Sequence, residues 1–182
     1  MRKLALILAL AGSPVLADGL DVTVSGEGAN GTFHIELFDD VAPQHAARIE
    51  ALAKAGAYDG VVFHRVIDGF MAQTGDVEFG KSGGDMRLAG TGGSDMPDLK
   101  AEFSDRSFGR GAVGMARSQD PNSANSQFFI MFAPAPHLNG QYTVVGEVTS
   151  GMDVVDAIKR GTGRNGAVIG RPDQMVSVKV TN

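Results

Sequence analysis

Between residues 32 and 37 apolar and polar side chains alternate, with Phe33, Ile35 and Leu37 on one side of an extended chain and Thr32, His34 and Glu36 on the other. That period of two predicts a strand buried on one face. Apolar and β-branched runs at 61–66, 70–74, 111–115, 127–132, 143–148 and 175–180 predict further strands, and Val22 and Val24 mark one near the start. Eight strands is the expected count. Helical spacing shows twice. Pro43 opens a segment with Ala46, Ile49, Leu52 and Ala53 on one stripe and Gly56 at its end, with Asp39 or Asp40 as the expected cap. Ser150-Gly151-Met152-Asp153 has capping-box spacing ahead of Val154, Val155 and Ile158, with Gly161 as the expected stop. No repeat or linker divides the chain, and 80–98 is the one long loop-like segment, a length that tends to be functional or mobile. The pattern is that of a mainly β fold closed by a few helices.

The first residues add an address. Arg2 and Lys3 form a basic head, 4–11 an apolar run, and Val15-Leu16-Ala17 a small-residue cleavage site. Gly12, Ser13 and Pro14 interrupt a run already too short to span a bilayer. The expectation is a signal peptide at 1–17 and a single domain at 18–182. Its removal leaves 14 basic residues against 21 acidic ones and moves the formal charge from -5 to -7. An acidic chain lacks the clustered Lys and Arg that nucleic acid or anionic lipid requires, and no second apolar run predicts a membrane span. With no cysteine, disulfides, thiolate catalysis and cysteine-based metal sites are excluded.

Two familiar patterns are set aside on physical grounds. Gly75-Asp76-Val77-Glu78-Phe79-Gly80-Lys81-Ser82 has the letters of a phosphate-binding loop, yet Gly83 and Gly84 would break the helix that must follow, and Asp76 and Glu78 would repel the anion. Gly161-Thr162-Gly163-Arg164-Asn165-Gly166 matches a dinucleotide fingerprint but follows a helix instead of a strand, which makes it a glycine-rich turn. No pair of histidines stands at metal-ligand spacing, and His34 and His45 read as solvated or packed side chains.

Residues 63–76 set a fixed cation, Arg65, and a polar amide, Gln73, among large apolar side chains, with no nucleophile or metal cluster. That suits holding a peptide, not cutting it. Arg65-Val66-Ile67-Asp68-Gly69-Phe70-Met71-Ala72-Gln73 and Asn125-Ser126-Gln127-Phe128-Phe129-Ile130 resemble the two signatures of the cyclophilins, the peptidyl-prolyl cis-trans isomerases. Gly90-Thr91-Gly92-Gly93, Gly114-Met115-Ala116 and Leu138-Asn139-Gly140-Gln141-Tyr142 follow in the family's order, so the resemblance runs from about residue 31 to the end.

The resemblance implies a closed eight-stranded antiparallel barrel capped by two α-helices, with an outer groove for proline-containing peptides and unfolded or folding proteins. Together with the expected leader it implies a bacterial secreted form acting in the periplasm, a monomer, and no cofactor. By position it makes Arg65 and Gln73 catalytic and Phe70, Met71, Ala116, Arg117, Gln127, Phe129, His137, Leu138 and Tyr142 substrate-binding. His137 stands where an indole commonly contacts the family's inhibitor cyclosporin, Tyr142 where a histidine is common, and Arg117 where an asparagine is common. Of these Arg117 is expected to matter least, because the neighbouring contact comes from backbone. Thr74 replaces a glycine of the family's turn and requires a negative φ. The competing reading is a cyclophilin-like module that holds unfolded chains without turnover. Retention of Arg65 argues against it.

Overall fold

The computed structural model describes residues 19–181, so the expected leader lies outside the described residues. Among the described residues nine strands and two α-helices follow one another: β1 (Gly19–Ser25), β2 (Gly31–Leu37), α1 (Pro43–Lys54), β3 (Val61–Val62), β4 (Arg65–Ile67), β5 (Met71–Thr74), β6 (Ala112–Met115), β7 (Phe128–Met131), β8 (Val144–Ser150), α2 (Met152–Ala157) and β9 (Gln174–Thr181). They form one antiparallel sheet in the order β3-β9-β1-β2-β8-β6-β7-β5-β4.

The ninth strand arises where one was expected, at 61–66. Val61 and Val62 pair with Met175 and Gln174 of β9, whereas Arg65, Val66 and Ile67 pair with Gln73, Ala72 and Met71 of β5. Between them the Phe63 amide bonds to the Asp173 carbonyl and the His64 carbonyl accepts from Val168. A single segment thus serves both ends of the sheet order, which curls the sheet around its apolar face and leaves its two ends few open edge groups.

The alternation in β2 appears as read: Phe33, Ile35 and Leu37 are buried and Thr32, His34 and Glu36 are not. They join Leu20, Val22, Tyr58, Phe63, Phe128 and Ile130 in the main core. In β7 the alternation is invisible in the sequence, because both faces are covered. Phe128 and Ile130 enter the main core, and Phe129 and Met131 enter a second cluster with Phe38, Met71, Phe108, Leu138 and Val144. That second cluster is the floor of the outer face.

Neither helix is capped as expected. The cap residue of α1 is Ala42, which makes no side-chain cap hydrogen bond, in place of Asp39 or Asp40. Glu102 from a distant loop takes that role, accepting from the Gln44 and His45 amides at 3.1 Å and from the His45 ring at 2.6 Å. Pro43 at the first helical position lacks an amide, so the next two are the ones a distant carboxylate can reach. The other end follows the reading: Gly56, at φ +67°, donates to the Ala53 carbonyl, and Ala57 donates to Leu52, a left-handed stop. At α2 the capping box does not form, because Ser150 is still paired with His34 in the sheet and Gly151, at φ +74°, makes the turn. A side chain there would strike the Thr32 carbonyl. The helix ends at Ala157 instead of running on to Gly161, because the Lys159 amide is drawn to Asp173.

Asp173 is fully buried and accepts from the amides of Gly28, Ala29 and Lys159, joining the β1–β2 turn to the end of α2. Burial raises the Glu102 carboxyl, but hydrogen bonds from the His45 ring and the two helix amides outweigh it and hold the group below the ordinary glutamate range. A depressed folded-state pKa adds stability above that range, which is lost as pH falls through it to the folded value. Glu102→Ala should therefore lower unfolding stability at neutral pH by about 2 kcal/mol, the scale of hydrogen bonds to a charged group. Urea denaturation across pH 3 to 7 should show the difference between wild type and variant shrinking toward the acid end.

Candidate active site

Strand register brings together residues far apart in the chain. Arg65 of β4 lies opposite Gln73 of β5, Gln73 opposite Phe129 of β7, and Phe129 opposite Gly114 of β6. Facing partners share a side of the sheet, so Arg65, Gln73 and Phe129 stand in one row, with Met71 two residues from Gln73 on the same face.

Arg65 is held by neutral oxygens. Its Nε donates to the Asn165 carbonyl at 2.9 Å and its Nη1 to the Gln73 side-chain oxygen at 3.1 Å. Its Nη2 makes no hydrogen bond among the described residues. Partial burial lowers the guanidinium's pKa, yet a group with so high an ordinary value stays charged. His64 beside it is buried, and desolvation pushes its pKa down to about 4, so at neutral pH it adds no competing charge.

The amide orientations follow from the cation. Arginine can only donate, so Gln73 must turn its oxygen toward Arg65 and its nitrogen toward the Gln127 oxygen, 3.0 Å away. Gln127 in turn donates to the Gly92 carbonyl at 2.8 Å, and the Gly92 amide donates to Asp76 at 3.0 Å. Asp76 is fully buried and also accepts from Glu78, Phe79 and Gly90. Within the phosphate-loop pattern the Glu78, Phe79, Gly80 and Ser82 amides are therefore engaged. Lys81 bridges to Val61 and donates to two backbone carbonyls, and no helix follows it. The 80–98 segment is tied down through Gly90, Gly92 and Ser94.

Beside Arg65 lies a pocket of about 170 Å³ lined by Arg65, Phe70, Met71, Gln73, Ala116, Arg117, Phe129, Leu138 and Tyr142. Phe129 stacks on Phe108 with centroids 5.7 Å apart and meets the edge of Tyr142 at 5.8 Å. Gly114 lies directly beneath. A Cβ there would sit 2.5 Å from both phenyl rings, so the absence of a side chain sets the depth at which Phe129 lies. Leu138 comes from a 3-10 turn, Pro136–Leu138.

An adjoining hollow of about 330 Å³ shares Gln73, Ala116 and Arg117 with the pocket and is walled further by Gln127, Asn125 and the glycine-rich 90–92 stretch. A larger hollow of about 570 Å³, near Glu27, Ser82 and Arg171, shares no residue with either. Its size does not make it the reactive site, because none of the groups gathered around Arg65 reaches it.

Nine of the eleven expected residues thus line one pocket. Gln127 faces the adjoining hollow, and His137 is exposed on the rim with its ring stacked on Phe70 at 5.9 Å. Thr74 is a buried strand residue bonded to the Val62 carbonyl, and Gly75 takes the positive φ of the turn, at +87°. Residue reading missed Asn165, Asp76, Phe108 and the role of Gly114. Asn165 carried one usable signal: it sits in the glycine-rich 161–166 turn, and asparagine is among the few residues at ease at its left-handed φ of +56°.

The profile of the family described as "Cyclophilin type peptidyl-prolyl cis-trans isomerase/CLD" matches residues 20–180. A Brucella suis protein described as "Probable peptidyl-prolyl cis-trans isomerase" is 58% identical over 153 residues, covering 83% of this chain and 78% of that protein. The Arabidopsis thaliana peptidyl-prolyl cis-trans isomerase CYP18-1 is 40% identical over 136 residues, 71% of this chain and 78% of its own. Among solved structures, the cyclophilin AquaCyp293 from Hirschia baltica superposes with a TM-score of 0.70 at 26% identity, covering 88% of this chain and 73% of that one. A Cryptosporidium parvum cyclophilin-type isomerase, also solved in the presence of the dipeptide Ala-Pro, shares the fold at 24% identity, with a TM-score of 0.74 and coverage of 90% and 99%. A profile spanning nearly all the described residues, over a site that gathers nine of the expected side chains, shows that this chain belongs to the cyclophilin-type peptidyl-prolyl cis-trans isomerases.

Proposed function

We propose that the pocket grips a proline ring and that Arg65 supplies the catalytic donor, in a protein that acts as a monomer on folding chains in the periplasm. The observation that carries this reading is the free Nη2 of Arg65 at the pocket wall, on a guanidinium whose other nitrogens are already fixed. Rotation about a peptide bond faces a barrier of about 18–20 kcal/mol because resonance gives the C–N bond double-bond character. Twisting breaks that resonance and leaves a lone pair on the prolyl nitrogen. A donor aimed at the nitrogen therefore binds the twisted state better than either planar form. Phe70, Met71, Phe129 and Leu138 hold the ring, and Gln73 and the backbone near Arg117 hold the flanking chain, so rotation is confined to one side. The reaction itself calls for no group beyond these. The leader expected at 1–17 supports the compartment, and the absence of cysteine suits an oxidising one. N-terminal sequencing of the exported protein should begin at Asp18.

Arg65→Ala should leave the fold intact by circular dichroism and lower kcat/KM on a short proline peptide by roughly a hundredfold or more, on the order of 3 kcal/mol for one transition-state donor. Arg65→Lys should recover only part of that loss, since an ammonium cannot bond to Asn165 and Gln73 and still present a fixed third donor. Wild-type activity surviving in Arg65→Ala would defeat the mechanism. Peptide binding without turnover in the wild type would mark a holding module instead.

Gly114→Ala should push Phe129 toward the proline pocket, since the ring and the new methyl cannot share the space. Overpacking of this kind costs about 1–3 kcal/mol in stability. Peptide KM should rise, and a melting curve alongside the kinetics separates the two effects.

A further inference from the structure

Arg117 occupies the partition between the proline pocket and the adjoining hollow, lining both. Its guanidinium lies over the Tyr142 ring, 4.3 Å from the centroid, and donates to the carbonyls of Ser118 at 2.9 Å and Gln141 at 2.8 Å. Every acceptor is neutral. Neither Arg117 nor Arg65 enters any ion pair among the described residues. A protein with a net charge of -5 therefore keeps two guanidinium groups without carboxylate partners in one pocket lining, beside Gln73 and Ala116. No acidic residue lines the hollow.

The hollow's hydroxyls have no donor to offer a peptide. Thr91 donates to the Leu88 carbonyl, Ser123 to the Asp120 carbonyl and Ser118 to the Ser123 oxygen. Asn125 directs its amide hydrogens to Met96 and Asp98. Arg117 is the one cation on the wall, held in place by stacking and the carbonyls of Ser118, Gln119 and Gln141, and its Nε is buried with no hydrogen-bond partner among the described residues. Low-dielectric walls carrying one sign of charge favour the opposite sign in what they bind.

Building on the isomerase reading, we infer that Arg117 is a specificity-determining residue that makes this enzyme prefer an acidic side chain on the amino-terminal side of proline. The chain enters from that side because Arg65 faces the prolyl nitrogen and Gln73, bonded to Arg65, is the wall shared with the hollow. A glutamate that reaches the hollow adds a charge-assisted contact to a cation already fixed in place.

The test is a series of short proline peptides carrying Ala, Gln, Glu or Lys at each of the three positions before proline. At low ionic strength kcat/KM at one of these positions should favour Glu over Gln roughly three- to tenfold and disfavour Lys, and the ratio should shrink as salt is raised. Arg117→Gln should bring the Glu-to-Gln ratio close to one, and Arg117→Glu should invert the preference toward Lys. Ratios measured within one enzyme cancel any change in its folded fraction. Equal turnover of Glu and Gln peptides at every position, or a Glu preference surviving in Arg117→Gln, would overturn the inference. No turnover of the Ala peptide would instead mark failure of the isomerase reading.

Discussion

A guanidinium held in place without a carboxylate is the constraint on which the site depends. A carboxylate would grip the Arg65 fork more strongly, but it would also neutralise the charge and engage the donors that the proposed mechanism requires. Neutral oxygens from Asn165 and Gln73 hold the group at the cost of little charge, and each must itself be held. The order therefore runs outward through Gln73, Gln127 and Gly92 to the buried Asp76. The negative charge that organises the network is kept several groups away from the Arg65 cation.

Buried carboxylates perform similar work elsewhere. Asp76 gathers four backbone amides from two turns, and Asp173 three from the β1–β2 turn and the end of α2. Long irregular segments leave many amides without ladder partners, and a buried unpaired amide is costly. One carboxylate can satisfy several at once. Glu102 applies the same solution to the start of α1, so that helix, loop and sheet are fastened by side chains from outside their own segments.

The outer face shows how a binding surface is made from a second core. Phe129, Met71 and Leu138 are largely buried among Phe108, Met131 and Val144, yet each presents an edge to the pocket. Their rigidity comes from packing on the sheet. The same packing makes Gly114 a shaping residue for a pocket that it does not line.

Much of this was legible in the sequence. The period of two in 32–37, the helical stripe from Ala46 to Ala53 and the apolar runs determined where strands and the first helix lie, because each is a local pattern that burial on one face imposes. The candidate site was legible as well, since Arg65, Phe70, Met71 and Gln73 fall within one short run, and Gln127 and Phe129 within another. Tertiary structure alone divided 61–67 between two edges of the sheet, moved the cap of α1 to Glu102, and made Asn165 the anchor of Arg65. The Arg65–Asn165 bond spans 100 residues and the Gln44–Glu102 bond spans 58. Propensity and spacing describe what a segment does with its own neighbours. Which distant carbonyl or carboxylate satisfies it is decided only when the sheet has curled and the loops have been drawn in.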